Sequence, residues 1–183
     1  MDAPRRQVLE ILAAAVLRDD RDRGELRRIE ELVRRQPDCL LRSSLAGHLT
    51  GSAFVMDAER KRLLLIHHRA LDRWLQPGGH ADGDPDLAAV ARREVLEETG
   101  VGGLELLQPG PFDLDIHAIP EKPGVPAHLH YDVRFLFAAP AGSTLQADER
   151  EVRAAVWVPL DDLGRLPLDE SVLRPARRIG AKP

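Results

Sequence analysis

Disulfide-forming cysteines, membrane-length apolar runs and an excess of positive charge are all missing from this chain. Its 183 residues include a single cysteine, Cys39, which excludes an intramolecular disulfide framework. This pattern is typical of a reducing compartment, and we expect Cys39 to be a small packed side chain. The longest early apolar run, residues 11–17, is far shorter than the roughly 20 residues that a membrane-spanning helix needs. We therefore predict a soluble, cytoplasmic protein without a membrane partner.

The charge balance argues against a general attraction to nucleic acid. The formal net charge is −4, and the arginines of the N-terminal region are accompanied by many acidic residues. This region does not show a convincing helix-turn-helix pattern. We therefore expect no specific nucleic-acid partner.

Hydrophobic residues make up 43% of the chain, enough to form the core of one domain with an extension. Apolar residues at helical spacing predict a helical N-terminal extension over residues 1–45. They are Val8, Leu9, Ile11, Leu12, Val16, Leu17, Leu26, Ile29, Leu32 and Val33. This extension could pack on the main domain or form a homodimer contact, and the pattern leaves both open. Residues 46–183 are predicted to form the main domain, with a C-terminal helix that starts near Asp169.

The pattern changes to strands from His48 onward. Residues 49–56 and 62–67 read as strands, and the second is apolar enough to be buried on both faces. Four further strands are predicted at residues 104–107, 112–119, 129–138 and 151–158. A short helix is predicted from Pro159.

The most informative segment is residues 79–101, which contains one helix with clear boundary signals. Asp84 is a plausible N-cap, Pro85 suits the first helical position, and Gly100 can adopt the left-handed conformation that ends a helix. These signals predict a helix over residues 85–99.

Three carboxylates share the inward face of this predicted helix. At 100° per residue, Glu97, Glu98 and the apolar side chains of the first two turns lie within about 60° of Glu94. Acidic groups that converge at a partly buried position repel one another unless a cation compensates them. The alternative interpretation is a solvated acidic helix end, which is the usual meaning of a charge run.

The same segment resembles the Nudix box, Gly-x5-Glu-x7-Arg-Glu-U-x-Glu-Glu-x-Gly-U, in which U is a bulky aliphatic residue. The matching positions are Gly79, Arg93, Glu94, Val95, Glu97, Glu98, Gly100 and Val101. Pro85 stands where the pattern has its first Glu, and Asp82, Asp84 or Asp86 could replace that acid. The resemblance implies the family's α/β/α sandwich around a mixed β-sheet, and a metal-dependent pyrophosphohydrolase.

The resemblance also implies a role for each matching residue. Glu97 and Glu98 would bind Mg²⁺ or Mn²⁺, and Glu94 would be a further metal ligand or the general base. Gly79 would offer its backbone carbonyl to the metal, and Arg93 would orient the carboxylates through paired hydrogen bonds. Family members often use an acid outside the box, and Glu151 is the candidate here.

A second polar group is predicted on two other strands. In residues 112–118, Asp113, Asp115 and His117 alternate with apolar residues, and in residues 128–137 the alternate positions are His128, His130, Asp132 and Arg134. If the strands pair antiparallel, these residues form one patch. The patch could be an ordinary solvent-facing side of a sheet, a substrate-recognition surface or a His/Asp metal site.

In the recognition hypothesis, Arg134 holds a phosphate, and His128 and His130 contact phosphate or base. Trp74, three residues before Pro77, is either a further substrate contact or a packed side chain of the loop.

The predicted function is hydrolysis of a nucleoside diphosphate linked to another moiety, with a small nucleotide-type substrate. One alternative is a catalytically weakened nucleotide-binding sensor, which the Pro85 substitution suggests. A third is isopentenyl diphosphate isomerase-like chemistry, which needs a catalytic cysteine. Cys39 lies before the predicted core, so this third alternative ranks last.

Overall fold

The structure is a computed structural model and describes residues 1–180. Its helices are α1 (Ala3–Ala13), α2 (Asp20–Arg35), α3 (Leu87–Thr99) and α4 (Glu170–Gly180), with a 3-10 helix over Leu160–Arg165. Its strands are β1 (His48–Met56), β2 (Arg62–His68), β3 (Arg73–Leu75), β4 (Gly78–His80), β5 (Glu105–Leu106), β6 (Asp113–Ile119), β7 (His128–Ala138) and β8 (Val152–Pro159). Within the described residues, no helix is both long and apolar enough to cross a membrane.

The eight strands belong to one hydrogen-bonded sheet. Its main path runs β3-β2-β1-β7-β5, while β4 pairs with β1, β6 with β7 and β8 with β2. The pairings of β4 with β1, β6 with β7 and β8 with β2 are all antiparallel. Because β4 and β7 both neighbour β1, residues distant in sequence meet along β1.

The predicted elements agree with this architecture, with small shifts at their ends. The two N-terminal helices, the six predicted strands, the short helix after Pro159 and the C-terminal helix are all confirmed. The buried character predicted for β2 is also confirmed, since its residues 63–66 are buried. Residues 181–183, the end of the predicted C-terminal region, lie outside the described residues.

Two strands were not predicted. β3 and β4 have three residues each, too few for an alternating pattern to be recognised. β4 also contains Gly78 and Gly79, and glycine is a weak strand former. Its pairing with β1 makes it a strand despite its sequence.

Contacts divide the chain into two compact units. The first comprises Met1–Ser52, Gly78–Ala91 and Gln108–Phe135. In this unit the N-terminal extension packs on the remainder, because the Val16 N–H donates to the Pro111 carbonyl and the Arg18 guanidinium lies 5.0 Å from the centre of the Phe112 ring. The sequence leaves two roles open for residues 1–45, packing on the main domain or a homodimer contact, and these contacts confirm packing. The homodimer contact and the boundary near residue 45 stay predictions.

The second unit comprises Ala53–Pro77, Arg92–Leu107 and the chain from Leu136 onward. Its centre is the long antiparallel pairing of β2 with β8, from Arg62↔Pro159 to His68↔Val152. Buried aliphatic residues of both strands form the core of this unit, among them Leu63, Leu64, Leu65, Val152 and Val158. The Arg92 guanidinium also stacks over the Phe137 ring at 4.9 Å.

The pairing of β4 with β1 depends on the absence of a side chain at Gly78. A Cβ atom there would lie 2.2 Å from Cβ and 2.8 Å from Cα of Ser52. We expect Gly78→Ala to lower the free energy of unfolding by about 1–3 kcal/mol, the usual range for overpacking. Gly24, inside α2, has no atom within 4 Å of the equivalent position, so Gly24→Ala should instead stabilise the protein by about 0.5–1 kcal/mol. Urea denaturation of both variants measures the difference, and equal effects would contradict the steric argument.

Candidate active site

The acidic helix of the box begins two residues later than predicted. Its first residue is Leu87, and the Asp86 carboxylate accepts a hydrogen bond from the Ala89 N–H at 3.0 Å, as an N-cap does. The prediction of Asp84 as N-cap is wrong, because the Asp84 carboxylate accepts the Asp86 N–H instead. The predicted C-terminal signal is confirmed, since Gly100 has a φ of 73°.

The inward face of α3 carries apolar residues in its first turns and acidic residues in its last. Leu87, Val90 and Ala91 are fully buried. Glu98 is also buried, with 2% of its surface exposed, and 14% of the Glu94 side chain is exposed. The helical phase predicts that Glu97 also faces inward, but 58% of its side chain is exposed. Glu94 and Glu98 therefore point inward, while Glu97 lies at the solvent edge.

Arg93 pairs with the neighbouring carboxylates. Its guanidinium donates to Glu94 at 3.1 Å and lies 4.0 Å from Glu97. Burial raises the pKa of Glu94, the Arg93 interaction opposes this rise, and the negative charges of Glu97 and Glu151 add to it. Glu151, predicted from outside the box, is thus close enough to act electrostatically on Glu94. Four of the predicted residues are brought together at this end of α3.

The aspartates near Pro85 have local structural tasks. Asp84 and Asp86 accept backbone N–H groups at the start of α3. Asp82 has a φ of 48°, and its carboxylate accepts hydrogen bonds from the Arg42 guanidinium, one of them at 2.8 Å. These contacts explain why three acidic residues surround Pro85 without reference to a metal. The hypothesis that one of them replaces the missing Glu stays a prediction.

Gly79, the other end of the box, lies in β4 opposite Gly51 of β1. A Cβ atom on Gly51 would lie 2.5 Å from the Leu87 carbonyl oxygen, so the start of α3 packs directly on the β1 backbone. Gly79 and the first residue of α3, Leu87, therefore both lie next to Gly51 of β1.

Arg134 lies in a buried ionic network and not on a surface. Its side chain is 1% exposed, and it donates to Asp132 at 2.6 Å, to Asp115 at 3.0 Å and to Asp113 at 3.2 Å. Burial alone would lower the pKa of Arg134, but the three carboxylates outweigh it and raise the pKa above its usual value. The prediction that Arg134 holds a substrate phosphate is wrong, because its donors are occupied by acids and shielded from solvent.

The predicted pairing of β6 with β7 is confirmed, with Asp113 opposite Arg134 and Asp115 opposite Asp132. The interpretation of this patch as a solvent-facing side is wrong for its acidic half, because Asp113, Asp115 and Asp132 are each less than 5% exposed. Arg21 of α2 donates to Asp115, so the N-terminal extension lies against this half.

Polar residues of β1, which the sequence did not indicate, complete this network. The Thr50 hydroxyl donates to Asp132 at 2.9 Å, and the Ser52 hydroxyl donates to it at 2.8 Å. The signal that could have identified them is their period of two with His48, which places all three on one face of β1.

The other half of the patch consists of histidines. We define the histidine cluster as His48, His80, His117, His128 and His130, whose neighbouring ring centres are 4.8 to 5.4 Å apart. Burial lowers the pKa of His48 to about 4 and that of His130 to about 2, and the other histidines add to both shifts. Those two rings are therefore neutral at pH 7, and as acceptors they suit a cation better than a phosphate.

Trp74 lies in β3, half-buried, opposite His67 of β2. The two rings are stacked, with centres 5.0 Å apart and planes inclined by 23°. This contact supports packing of Trp74 against the sheet and leaves its role toward a substrate a prediction.

Cys39 is fully buried, and burial raises the pKa of its thiol to about 11, as expected for a packed side chain.

A family comparison identifies the segment that contains these residues. The NUDIX domain model matches residues 48–178. The chain belongs to the Nudix family. This assignment confirms the resemblance first seen in residues 79–101, and it holds even though Pro85 replaces the first Glu of the box.

Curated relatives show similarity of more limited extent. A Xenopus laevis protein named "Nucleoside diphosphate-linked moiety X motif 6" is 41% identical over 59 residues, which are 31% of this chain and 27% of that protein. A Bacillus subtilis protein named "Putative 8-oxo-dGTP diphosphatase" is 29% identical over 120 residues, 65% of this chain and 70% of that one. The matched part of this chain spans less than a third of the Xenopus relative.

Solved structures, one of them described as a hydrolase of the NUDIX family, confirm the predicted fold class. A Caenorhabditis elegans Ap4A hydrolase, solved as a binary complex, has a TM-score of 0.57 and 17% identity. The match covers 72% of this chain and 94% of that one. The predicted α/β sandwich with its mixed sheet is therefore the Nudix fold, and the N-terminal helices are its extension here.

Proposed function

We propose that the protein is a metal-dependent pyrophosphohydrolase that cleaves a nucleoside diphosphate linked to another moiety. The observation that carries this proposal is the arrangement at the end of α3. Buried Glu98, partly buried Glu94 and the pairing of Glu94 with Arg93 occur together, with the charge of Glu151 close enough to affect Glu94. A purely solvated helix end would not bury Glu98.

The carboxylates fit a divalent metal ion by the chemistry of their donors. Mg²⁺ and Mn²⁺ prefer oxygen ligands, and Glu94, Glu97 and Glu98 supply carboxylate oxygens. The raised pKa of Glu94 reflects burial and like-charge repulsion, which a bound cation would offset. When bound, such an ion would neutralise diphosphate charge and favour ionisation of the attacking water.

The chain's own residues have separate tasks in this mechanism. Arg93 holds the Glu94 carboxylate in one orientation through its 3.1 Å hydrogen bond. Glu94 is either a further metal ligand or the general base. In the second role its carboxylate would take the proton of the attacking water. Glu151 is exposed and is the second candidate base.

Substrate selection is proposed for residues outside the box. Trp74 is half-buried and could accept a base by stacking. That His128 and His130 contact a substrate stays a prediction, and both side chains are half-exposed. Names of the relatives support a nucleotide-type substrate, since one refers to nucleoside diphosphate-linked moieties and another to 8-oxo-dGTP.

The alternative is a nucleotide-binding sensor with little turnover, which the Pro85 substitution favours. Pro85 removes the first acid of the box, and the neighbouring aspartates are engaged at the helix start and with Arg42. The metal-binding half of the box is intact, so we favour the enzyme.

A substrate panel separates the two proposals. Nucleoside triphosphates, 8-oxo-dGTP, ADP-ribose, dinucleoside polyphosphates, NADH and nucleotide sugars are each incubated with Mg²⁺ or Mn²⁺, and products are separated by ion-exchange chromatography. We expect at least one compound to give a nucleotide product cleaved between phosphates, and EDTA to stop the reaction. Saturable binding without turnover of any compound would instead support the sensor.

A further inference from the structure

The histidine cluster contains five of the seven histidines of the chain, contributed by four strands. His48 comes from β1, His80 from β4, His117 from β6, and His128 and His130 from β7. The order of the sheet brings these strands together, because β4 and β7 both neighbour β1 and β6 pairs with β7. The cluster is therefore a product of the fold and not of local sequence.

His48 is the residue that packing alone explains least well. It is 2% exposed, and although the Ser44 backbone interacts with its ring, neither its Nδ1 nor its Nε2 atom has a hydrogen-bond partner of ordinary distance and angle. Buried polar atoms are nearly always satisfied in folded proteins, so an unsatisfied imidazole points to a missing ligand. Three other rings of the cluster surround it, at centre distances of 4.8 to 5.0 Å.

His128 has the orientation typical of a metal ligand. Its Nδ1 lies 2.8 Å from the Pro126 carbonyl oxygen, which can only accept a hydrogen bond. In the neutral ring the proton therefore resides on Nδ1, and Nε2 carries the lone pair that can bind a metal. Metal-binding histidines commonly have this backbone hydrogen bond on the nitrogen that does not bind the metal.

The ligand atoms of three rings already converge. One nitrogen each from His48, His128 and His130 lies within 4.8 Å of the other two. Nitrogens around a tetrahedral zinc ion are roughly 3.4 Å apart, given zinc–nitrogen distances of about 2.0–2.1 Å. Small side-chain rotations would achieve this contraction. Among residues 1–180, the box glutamates do not form an equally convergent set.

We propose that His48, His128 and His130 bind a divalent transition-metal ion of the zinc class, at a site chemically distinct from the carboxylates of the box. Imidazole nitrogens select zinc, cobalt or nickel over Mg²⁺, which prefers oxygen. Three protein ligands leave a further coordination position for water or a ligand oxygen, as in catalytic zinc sites. This inference does not depend on the proposed hydrolysis.

The test uses Co²⁺ as a visible probe on the full chain. Protein stripped with chelator is placed in excess Mg²⁺, so that oxygen-rich sites are filled, and is then titrated with Co²⁺. We expect one equivalent to bind with the intense visible absorption of four-coordinate Co²⁺ and to be displaced by one equivalent of Zn²⁺. His128→Gln and His130→Gln should each weaken binding by about 100-fold or more, beyond the effect typical for outer-shell partners.

Two control variants test whether Co²⁺ binds to the box carboxylates or to histidines outside the cluster. Glu98→Gln should keep the Co²⁺ spectrum, and so should His68→Gln, which removes a half-buried histidine outside the cluster. Because His130→Gln could fail to fold, Zn²⁺-dependent thermal stabilisation of the half-exposed His128→Gln variant gives a second measurement. Unchanged Co²⁺ binding in both cluster variants, or binding lost in Glu98→Gln, would overturn the proposal. So would the absence of Co²⁺ binding in excess Mg²⁺.

Discussion

We expect Glu98→Gln to lower the Mg²⁺-dependent rate of diphosphate hydrolysis by roughly 10²–10³-fold, the loss typical of removing one preorganised electrostatic contact from an active site. Glu98 is the most buried carboxylate of the box, at 2% exposure. A buried carboxylate changes its position little when a cation binds, so it contributes more than the exposed Glu97. Glutamine keeps the shape and removes the charge, which should preserve the fold.

The measurement is kcat and the apparent Mg²⁺ affinity for a substrate identified in the panel. Glu105→Gln is the matched control, because Glu105 is an exposed glutamate of β5 in the same compact unit. We expect the control to retain full activity. A Glu98→Gln enzyme with unchanged kcat and Mg²⁺ dependence would exclude this carboxylate from metal binding.

Local signals predicted the box helix well. Gly100 ends α3 in the left-handed region, as its position required, and helical phase correctly placed Glu94 and Glu98 on the inward face. The phase argument was less accurate for Glu97, which lies near the edge of the stripe and is exposed. The sequence places the N-cap two residues too early, because aspartates occur at positions 82, 84 and 86 and any of them can cap a helix.

The patch on β6 and β7 shows where local reasoning fails. Strand alternation correctly predicted which residues share a face, and the antiparallel register is confirmed. It could not show what covers that face. Arg21 reaches Asp115 across 94 residues of sequence, and the Thr50 hydroxyl reaches Asp132 across 82. Because such contacts depend on the order of the strands and on the packing of α2, a polar face that looked solvated is largely buried.

The histidine cluster also depends on the order of the strands in the sheet. His128 and His130 were recognised as neighbours because they are two residues apart on one strand. His48 and His80 join them only because β1 lies between β4 and β7 in the sheet. Convergence of ligand atoms is a property of tertiary structure, so the strand pattern alone leaves both a recognition surface and a metal site open.

We expect Arg134→Met to lower the free energy of unfolding by about 3–5 kcal/mol, the range for removing one partner of a buried ion pair. The variant would leave Asp113, Asp115 and Asp132 buried with one cation fewer. Burial raises the pKa of Asp115, but its hydrogen bond to His117 and the charge of Arg134 outweigh this and hold the pKa below its usual range. Without Arg134, ionised Asp115 would lose one of these stabilising contacts.

Urea denaturation at pH 7 measures this loss, with Arg34→Met as the matched control. Arg34 forms an exposed i,i+4 pair with Glu30 in α2, and such pairs contribute about 0.5 kcal/mol or less. Arg134→Lys provides a milder variant if the methionine protein does not fold, because lysine keeps the charge but not the three-way hydrogen bonding. A loss as small as that of the control would show that the network is not a source of stability.

A double-mutant cycle identifies the cause of the loss. In Arg134→Met, the Asp113 carboxylate loses the guanidinium that lies 3.2 Å away in the wild-type protein. Adding Asp113→Asn removes that uncompensated charge, so we expect the double variant to be more stable than the sum of the two single effects predicts. Strict additivity would mean that Arg134 stabilises through the packing of its aliphatic stem. Non-additivity would show that Arg134 stabilises the protein by compensating the buried charge of Asp113.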